Sequence, residues 1–244
     1  MKKLLFFSVL AMAGLMLHAQ QSYVMFETMY IDVKPDKQNE FEAAFKAHNQ
    51  KFHSKGPDAV QVHYIVNGPW EGQLAWVMGP LTFTDLDNRP SGEDHESDWN
   101  KVMPFVKKVS EVEYWKMDKN MNYSPENMQF SKLHLRFFDV KPDKWEDVGR
   151  LLGMVVKVYK DKKYPNSLNV YWNQFQTGNG REVVAVEGFN KYSEYDKPDT
   201  WVADFNEVHG DGAWAKFLKD MQASTDGMTE ELREIVPELG GSTD

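Results

Sequence analysis

Polar and ionisable side chains recur at alternate positions on several predicted strands of this 244-residue chain. A histidine near a carboxylate can take up a proton close to neutral pH, and an arginine or an amide can stabilise an oxyanion. The candidate catalytic residues are His63 or His134 as the base and Arg136 as the oxyanion partner, a role that Asn173 could share. The candidate ligand-binding residues are Glu27, Gln61, Trp76, Asn169, Tyr171 and Asn173, with the carboxylate of Glu187 as a further member.

These candidates are grouped by the alternation of side chains along a strand. Leu133, Leu135 and Phe137 are all apolar, which predicts that they pack on helices and that His134 and Arg136 point to the opposite face. The other positions predicted on that opposite face are Glu27, Met29, Ile31, Gln61, His63, Ile65, Asn169, Tyr171 and Asn173, with Trp76 and Glu187. A register change of one residue would exchange the two faces.

Polar groups among Met, Ile, Phe and Trp are typical of a small-molecule site with apolar walls. Two interpretations remain open for the face that carries them. It encloses a ligand cavity, or its polar groups bond to one another as a layer inside a packed sheet structure.

Other ionisable residues give weaker signals. His48 lies on an apolar helix stripe, which favours a buried structural role, and His53 is expected at the surface near the end of that helix. The acidic segment 85–98 contains His95, but its spacing fits no calcium loop, so it is expected to be solvated. Phosphate-binding, zinc-protease and serine-hydrolase motifs are absent from the sequence.

An internal repeat organises the elements that must position the candidates. The sequence DVKPDK occurs at residues 32–37 and again at 139–144, an offset of 107. Each copy leads into an amphipathic helix. The equivalent stripe positions are Phe41, Phe45, His48 and Phe52 in the first copy and Val148, Leu152, Val155 and Tyr159 in the second. We therefore expect Phe45 and Leu152 to be equivalent and buried.

Each copy has the pattern β-α-β-β-α-β, the ferredoxin-like unit. The predicted strands are 24–33, 59–66, 74–81 and 112–117 in the first copy and 130–140, 168–175, 183–189 and 229–236 in the second. Asp98-Trp99-Asn100 and Asp204-Phe205-Asn206 mark equivalent second helices. The predicted units are 20–117 and 130–244, joined by a polar linker at 118–129.

With this motif and topology, the chain resembles the dimeric α+β barrel superfamily, including antibiotic-biosynthesis-monooxygenase-like proteins. The resemblance covers residues 23–238 and implies an α+β fold. In that fold the two tandem ferredoxin-like units close their open sheet faces into an intramolecular pseudo-dimeric barrel.

The resemblance also implies cofactor-independent oxygenase-like or isomerase-like chemistry on a small aromatic or apolar compound. A non-catalytic binding protein is the alternative. Haem binding is a third, for which His134 and Arg136 are of the required types; the cofactor itself is left unknown.

Composition and the N-terminus bear on partners and location. The formal charge of −9 argues against nucleic acid as a partner, and the absence of Cys excludes disulfides and thiolate metal sites. Lys2 and Lys3, the apolar run 4–17 and Ala19 predict a signal peptide over residues 1–19. We expect a bacterial periplasmic or secreted protein that begins near Gln20 and does not bind a membrane after cleavage. The sequence does not predict whether it oligomerises further.

Overall fold

A computed structural model describes residues 23–126 and 128–241. The predicted signal peptide lies outside these residues. The strands are Met25–Val33 (β1), Val60–Asn67 (β2), Leu74–Leu81 (β3), Val106–Tyr123 (β4), Lys132–Val140 (β5), Ser167–Asn173 (β6), Val183–Phe189 (β7) and Thr225–Ile235 (β8). The helices are Gln38–Phe52 (α1), Phe83–Leu86 (α2), Glu93–Trp99 (α3), Trp145–Lys162 (α4), Trp201–His209 (α5) and Ala213–Ser224 (α6). No helix in this part of the chain is long and apolar enough to cross a membrane.

The strands form a closed antiparallel barrel in the order β1-β3-β2-β8-β5-β7-β6-β4. The first half contributes the neighbours β4-β1-β3-β2, and the second half contributes β8-β5-β7-β6 in the equivalent order. Pairing of β2 with β8 and of β4 with β6 joins the two halves. The fold is therefore α+β, with every sheet edge paired.

Helices α1 and α4 cover the outside of the barrel. Phe45 on α1 is fully buried in a cluster with Val62 and Met78 of the sheet. Leu152 on α4 is 2% exposed and packs in a second cluster with Val170. The predicted burial of Phe45 and Leu152 is confirmed.

Two predicted boundaries are wrong. β4 continues through Met117 to Tyr123, so it occupies the first part of the predicted linker. Its pairing with β6 breaks between Met117 and Asn122, where the Asp118 carboxylate accepts hydrogen bonds from backbone N–H groups at 2.9 and 3.2 Å. In the acidic segment, residues 93–99 form helix α3 instead of remaining a loop.

The halves differ in one helix. After α5 the second half adds α6, which packs on α4. The described residues between α3 and β4 contain only a short 3₁₀ turn, Met103–Phe105. The second half therefore has an extra wall on the helix-covered side of its sheet.

Candidate functional site

The two faces of β5 are the reverse of the prediction. Phe138 packs in the cluster that contains α4 residues, whereas Leu135 and Phe137 pack with Trp115 inside the barrel. Arg136 shares the outer, helix-covered face with Phe138, and so does His134. The reason is physical: the closed interior takes the apolar set, and the outer face has room for charged side chains beside a cleft.

β1 and β3 are corrected in the same way. Met29 and Ile31 pack in the α1-facing cluster. Glu27, on that same face, is bonded by Arg89 Nη1 at 3.2 Å, and its burial raises the pKa of its carboxyl. Trp76 also lies under α1, where its indole N–H donates to Asn49 Oδ1 at 3.0 Å.

β2 and β6 have the predicted orientation. His63 is 5% exposed inside the barrel, and Tyr171 packs there with the Trp115 cluster. Gln61 is exposed, with Oε1 3.5 Å from His63 Nε2, and Asn169 is half-buried. Asn173 is buried and donates to the backbone carbonyl of Arg181 at 3.1 Å. These residues do not form one site with His134 and Arg136, because the sheet separates them.

The barrel interior holds an ion cluster that the sequence analysis missed. Its members are Tyr30, Glu113, Arg181, Glu231 and Arg233, all 0–4% exposed. Arg181 donates to Glu113 Oε1 at 2.8 Å, to Glu231 Oε1 at 2.7 Å and to the Tyr30 hydroxyl at 2.7 Å. Arg233 Nε donates to Glu231 Oε2 at 2.9 Å. The charges of the two arginines and two glutamates balance.

Aromatic rings complete the packing of this cluster. The Arg181 guanidinium carbon lies 3.4 Å from the Phe137 ring centroid and 4.1 Å from that of Trp70. Burial raises the pKa of Glu231, but the adjacent Arg233 and Arg181 outweigh it and hold that pKa below its usual value. The interior therefore matches the polar-layer interpretation in these residues, because their polar groups bond to one another.

His63 makes the stability of the barrel sensitive to acid. Burial, and then the charge of Arg233, lower the pKa of His63 to about 3, and its Nδ1 has no partner among the described residues. Because the unfolded chain binds this proton near pH 6.5 and the folded chain does not, stability is lost as pH falls from 6.5 towards 3. We expect this histidine to cost about 2 kcal/mol between pH 7 and pH 5.

Urea unfolding of the wild type and of His63→Leu at both pH values measures this cost. Between pH 7 and pH 5 the wild type should lose about 2 kcal/mol more unfolding free energy than His63→Leu does. A difference that stays constant with pH would contradict the assignment.

A cleft of about 920 Å³ lies on the outer side of the second half, between the sheet and helices α4 to α6. Arg136 and Glu187 of the sheet lie on its floor, and α6 supplies part of its wall. The aromatic residues that line it are Phe138, Tyr159, Tyr164, Phe189, Tyr195, Trp201, Trp214 and Phe217. Its walls are therefore suited to a flat apolar ligand.

Arg136 is the polar anchor of the cleft, and its side chain is 30% exposed. It donates through Nη1 to Glu187 Oε2 at 3.2 Å and through Nε to Glu230 Oε1 at 3.2 Å. Its Nη2 lies 3.0 Å from His134 Nδ1. Since a guanidinium has five N–H donors, two remain for a ligand.

His134 lies behind this anchor and does not line the cleft. Its Nε2 lies 3.1 Å from Glu230 Oε1, which assigns the ring proton to Nε2. Nδ1 then accepts from Arg136 and from the Tyr195 hydroxyl, the latter at 3.0 Å. Burial, followed by the charge of Arg136, lowers the pKa of His134. It is a neutral residue that orients Arg136.

A histidine-ligated haem does not fit the cleft. Such a group needs an axial imidazole, and the described residues that line the cleft include no histidine. Tyr159 and Tyr164 also line the cleft. The pKa of both hydroxyls is raised, mainly by burial, and a raised pKa disfavours the tyrosinate that would bind iron.

The comparisons with known proteins agree on the architecture. No protein-family model and no curated protein matches the sequence. An anthrone oxidase-like protein matches in structure at 12% identity and a TM-score of 0.57, over 88% of this chain and 91% of that chain. A candidate monooxygenase of Lactobacillus acidophilus NCFM matches at 11% identity and a TM-score of 0.55. That match covers 90% of this chain and 96% of the other.

Chlorite dismutase from Candidatus Nitrospira defluvii, in complex with imidazole, matches at 8% identity and a TM-score of 0.54. That match covers 89% of this chain and 93% of the other. Identities this low establish likeness of fold alone. Together with the closed eight-stranded barrel, they show that the chain shares the α+β barrel fold of these proteins.

Proposed function

We propose that the protein is an oxygenase-like enzyme that acts on a small, uncharged aromatic molecule in the second-half cleft. The observation that carries this proposal is a guanidinium with two uncommitted donors on the floor of an aromatic cleft. A ligand carbonyl or hydroxyl oxygen would bind to Arg136, and its rings would lie among the aromatic walls.

The charges around Arg136 favour a neutral ligand. Glu187 and Glu230 each form an ion pair with it at 3.2 Å, so its positive charge is already balanced. Glu194 and Asp226 also line the cleft. An anionic ligand would meet these carboxylates, whereas a phenol or ketone would use the free N–H donors without adding charge.

The chemistry requires a base and an oxyanion partner. We assign the base to Glu187, which lines the cleft, instead of His134, whose Nδ1 lone pair is occupied. Glu187 would remove an acidic C–H proton from the ligand, and Arg136 would stabilise the resulting oxyanion. The electron-rich ligand could then react with O₂. For anthrone, which names one of the structural neighbours, the balanced reaction is anthrone plus O₂ giving anthraquinone plus water.

Anthrone is therefore the test substrate, with oxygen uptake and anthraquinone absorbance as the readouts. Glu187→Gln is expected to lower kcat about 10²- to 10⁴-fold because it removes the base. Arg136→Gln should lower it about 10²- to 10³-fold because it removes the oxyanion donors.

The matched control is Arg150→Gln, since Arg150 is an exposed α4 residue outside the cleft. It should leave the rate unchanged, and circular dichroism checks the fold of each variant. If the wild type neither consumes oxygen nor changes its tryptophan fluorescence with anthrone, the proposal is wrong.

A non-catalytic binding protein is the second candidate. The 3.2 Å ion pair of Glu187 with Arg136 favours it, because that contact commits Glu187 Oε2 to the guanidinium instead of to a ligand. Fluorescence quenching by anthrone that is lost in Arg136→Gln, without oxygen uptake by the wild type, would select this function.

We also propose that the chain is a tandem pair of ferredoxin-like units, 20–117 and 130–244, forming an intramolecular pseudo-dimer. The equivalent strand orders of the two halves support this interpretation. Export from a bacterial cell, supported by the pattern in residues 1–19, belongs to the same proposal.

A further inference from the structure

Three histidines lie close together on the helix-covered side of the first half. The cleft lies in the second half. His48 lies on α1, His53 follows the last residue of α1, and His95 lies on α3. One ring nitrogen from each lies within 4.8 Å of the other two. His53 Nε2 and His95 Nε2 are only 3.4 Å apart. Around a tetrahedral ion with 2.0–2.1 Å bonds, ligand nitrogens are separated by about 3.3 Å.

Hydrogen bonds orient two of the rings. His48 Nδ1 lies 3.2 Å from Asp98 Oδ1, and His53 Nδ1 lies 3.2 Å from the backbone carbonyl of Asp58. An oxygen acceptor at Nδ1 fixes the proton there and leaves the Nε2 lone pair available. Donation from a ligating imidazole to a carboxylate or a backbone carbonyl is the usual support of a metal-bound histidine.

The rings are held in a packed, mainly aromatic pocket. His48 and His53 are 2% and 4% exposed. Trp76 lies 5.0 Å from the His53 ring, and Trp99 lies 5.1 Å from the His48 ring, between centroids. Burial is the main cause that lowers the pKa of all three imidazoles.

The repeat relates this cluster to the cleft of the second half. His48 corresponds to Val155 at the offset of 107, and His95 corresponds to Trp201 at the offset of 106 set by Asp98 and Asp204. Val155 and Trp201 both line the cleft. The first half has therefore placed imidazoles where the second half has cleft walls.

We propose that His48, His53 and His95 form a binding site for a divalent transition-metal ion of the zinc type. Three imidazole nitrogen ligands without thiolate suit Zn²⁺, Co²⁺, Ni²⁺ or Cu²⁺ rather than Ca²⁺ or Mg²⁺. His95 is only half-buried, so an ion can reach the cluster from solvent on the His95 side. The site is independent of the proposed oxygenase function, since it lies in the other half.

Titration of the untagged full chain with ZnCl₂ by calorimetry, and with CoCl₂ by visible absorption, tests this site. We expect one ion per chain, a tetrahedral Co²⁺ spectrum and a rise in Tm with Zn²⁺. His95→Ala should weaken Zn²⁺ binding more than about 100-fold, and Asp98→Asn should weaken it about 10- to 100-fold.

His209→Ala is the matched control, because His209 Nε2 lies 3.0 Å from the Met154 carbonyl oxygen and the residue lies outside the cluster. It should bind Zn²⁺ as the wild type does. Comparison of Tm without metal shows whether His95→Ala is folded, and a folded His95→Ala that keeps wild-type affinity would overturn the proposal. So would the absence of stoichiometric Zn²⁺ and Co²⁺ binding by the wild type.

Discussion

Replacing Arg181 with methionine is expected to lower the free energy of unfolding by about 3–5 kcal/mol. The side chain is 4% exposed and bonds Glu113, Glu231 and Tyr30 at 2.7–2.8 Å. Its loss leaves two buried carboxylates opposite the single remaining Arg233, and an uncompensated buried charge is far more costly than a lost surface pair. Urea unfolding at pH 7 measures the change.

Two further variants isolate the electrostatic cause. Arg150→Met makes the same chemical change at an exposed ion pair, with nitrogen–oxygen distances of 3.7 Å, and should cost less than about 1 kcal/mol. Adding Glu113→Gln to Arg181→Met should recover part of the loss, because it restores charge balance. If Arg181→Met loses no more unfolding free energy than Arg150→Met does, this description of the interior is wrong.

Replacing Phe45 with alanine should also cost about 3–5 kcal/mol. Phe45 is fully buried between α1 and the first-half sheet, and its ring stacks on Phe41 with centroids 4.7 Å apart. Because Phe45 packs in one cluster with Phe41 and the sheet residues Val62 and Met78, the site can collapse only partially around the cavity. Thermal and urea unfolding report the loss.

Phe175→Ala provides the matched control. Phe175 is 57% exposed, so its truncation should change stability by less than about 1 kcal/mol. Leu152→Ala, at the equivalent position of α4, should cost about 2–5 kcal/mol. A loss below about 1 kcal/mol for Phe45→Ala would contradict its place in the core.

The repeat made the architecture predictable. Two copies of DVKPDK, each followed by a stripe with Phe45 or Leu152, predicted two similar halves, and the structure has equivalent strand orders in both. Helix α6 was not predicted as a distinguishing element, because its sequence has an ordinary amphipathic pattern. Its distinguishing feature is the part of the cleft wall that it forms in the second half.

The sites were less predictable, for a physical reason. Alternation separates the faces of a strand but does not say which face is inside, and apolar Leu135 and Phe137 fit either side. One sequence feature did indicate the interior ion cluster. Glu231 and Arg233 lie two residues apart on β8 and so share one face of a strand that is expected to pack inside the barrel. The histidine cluster depends on contacts between α1 and α3, which are far apart in sequence.

The two halves contribute different charges to the interior ion cluster. Tyr30 and Glu113 come from the first half, whereas Arg181, Glu231 and Arg233 come from the second. Two first halves closing on each other would bury two carboxylates without these cations, and two second halves would bury four guanidiniums against two carboxylates. Such assemblies carry unbalanced charge in a dry interior. The charges of this cluster therefore balance when a first half meets a second half.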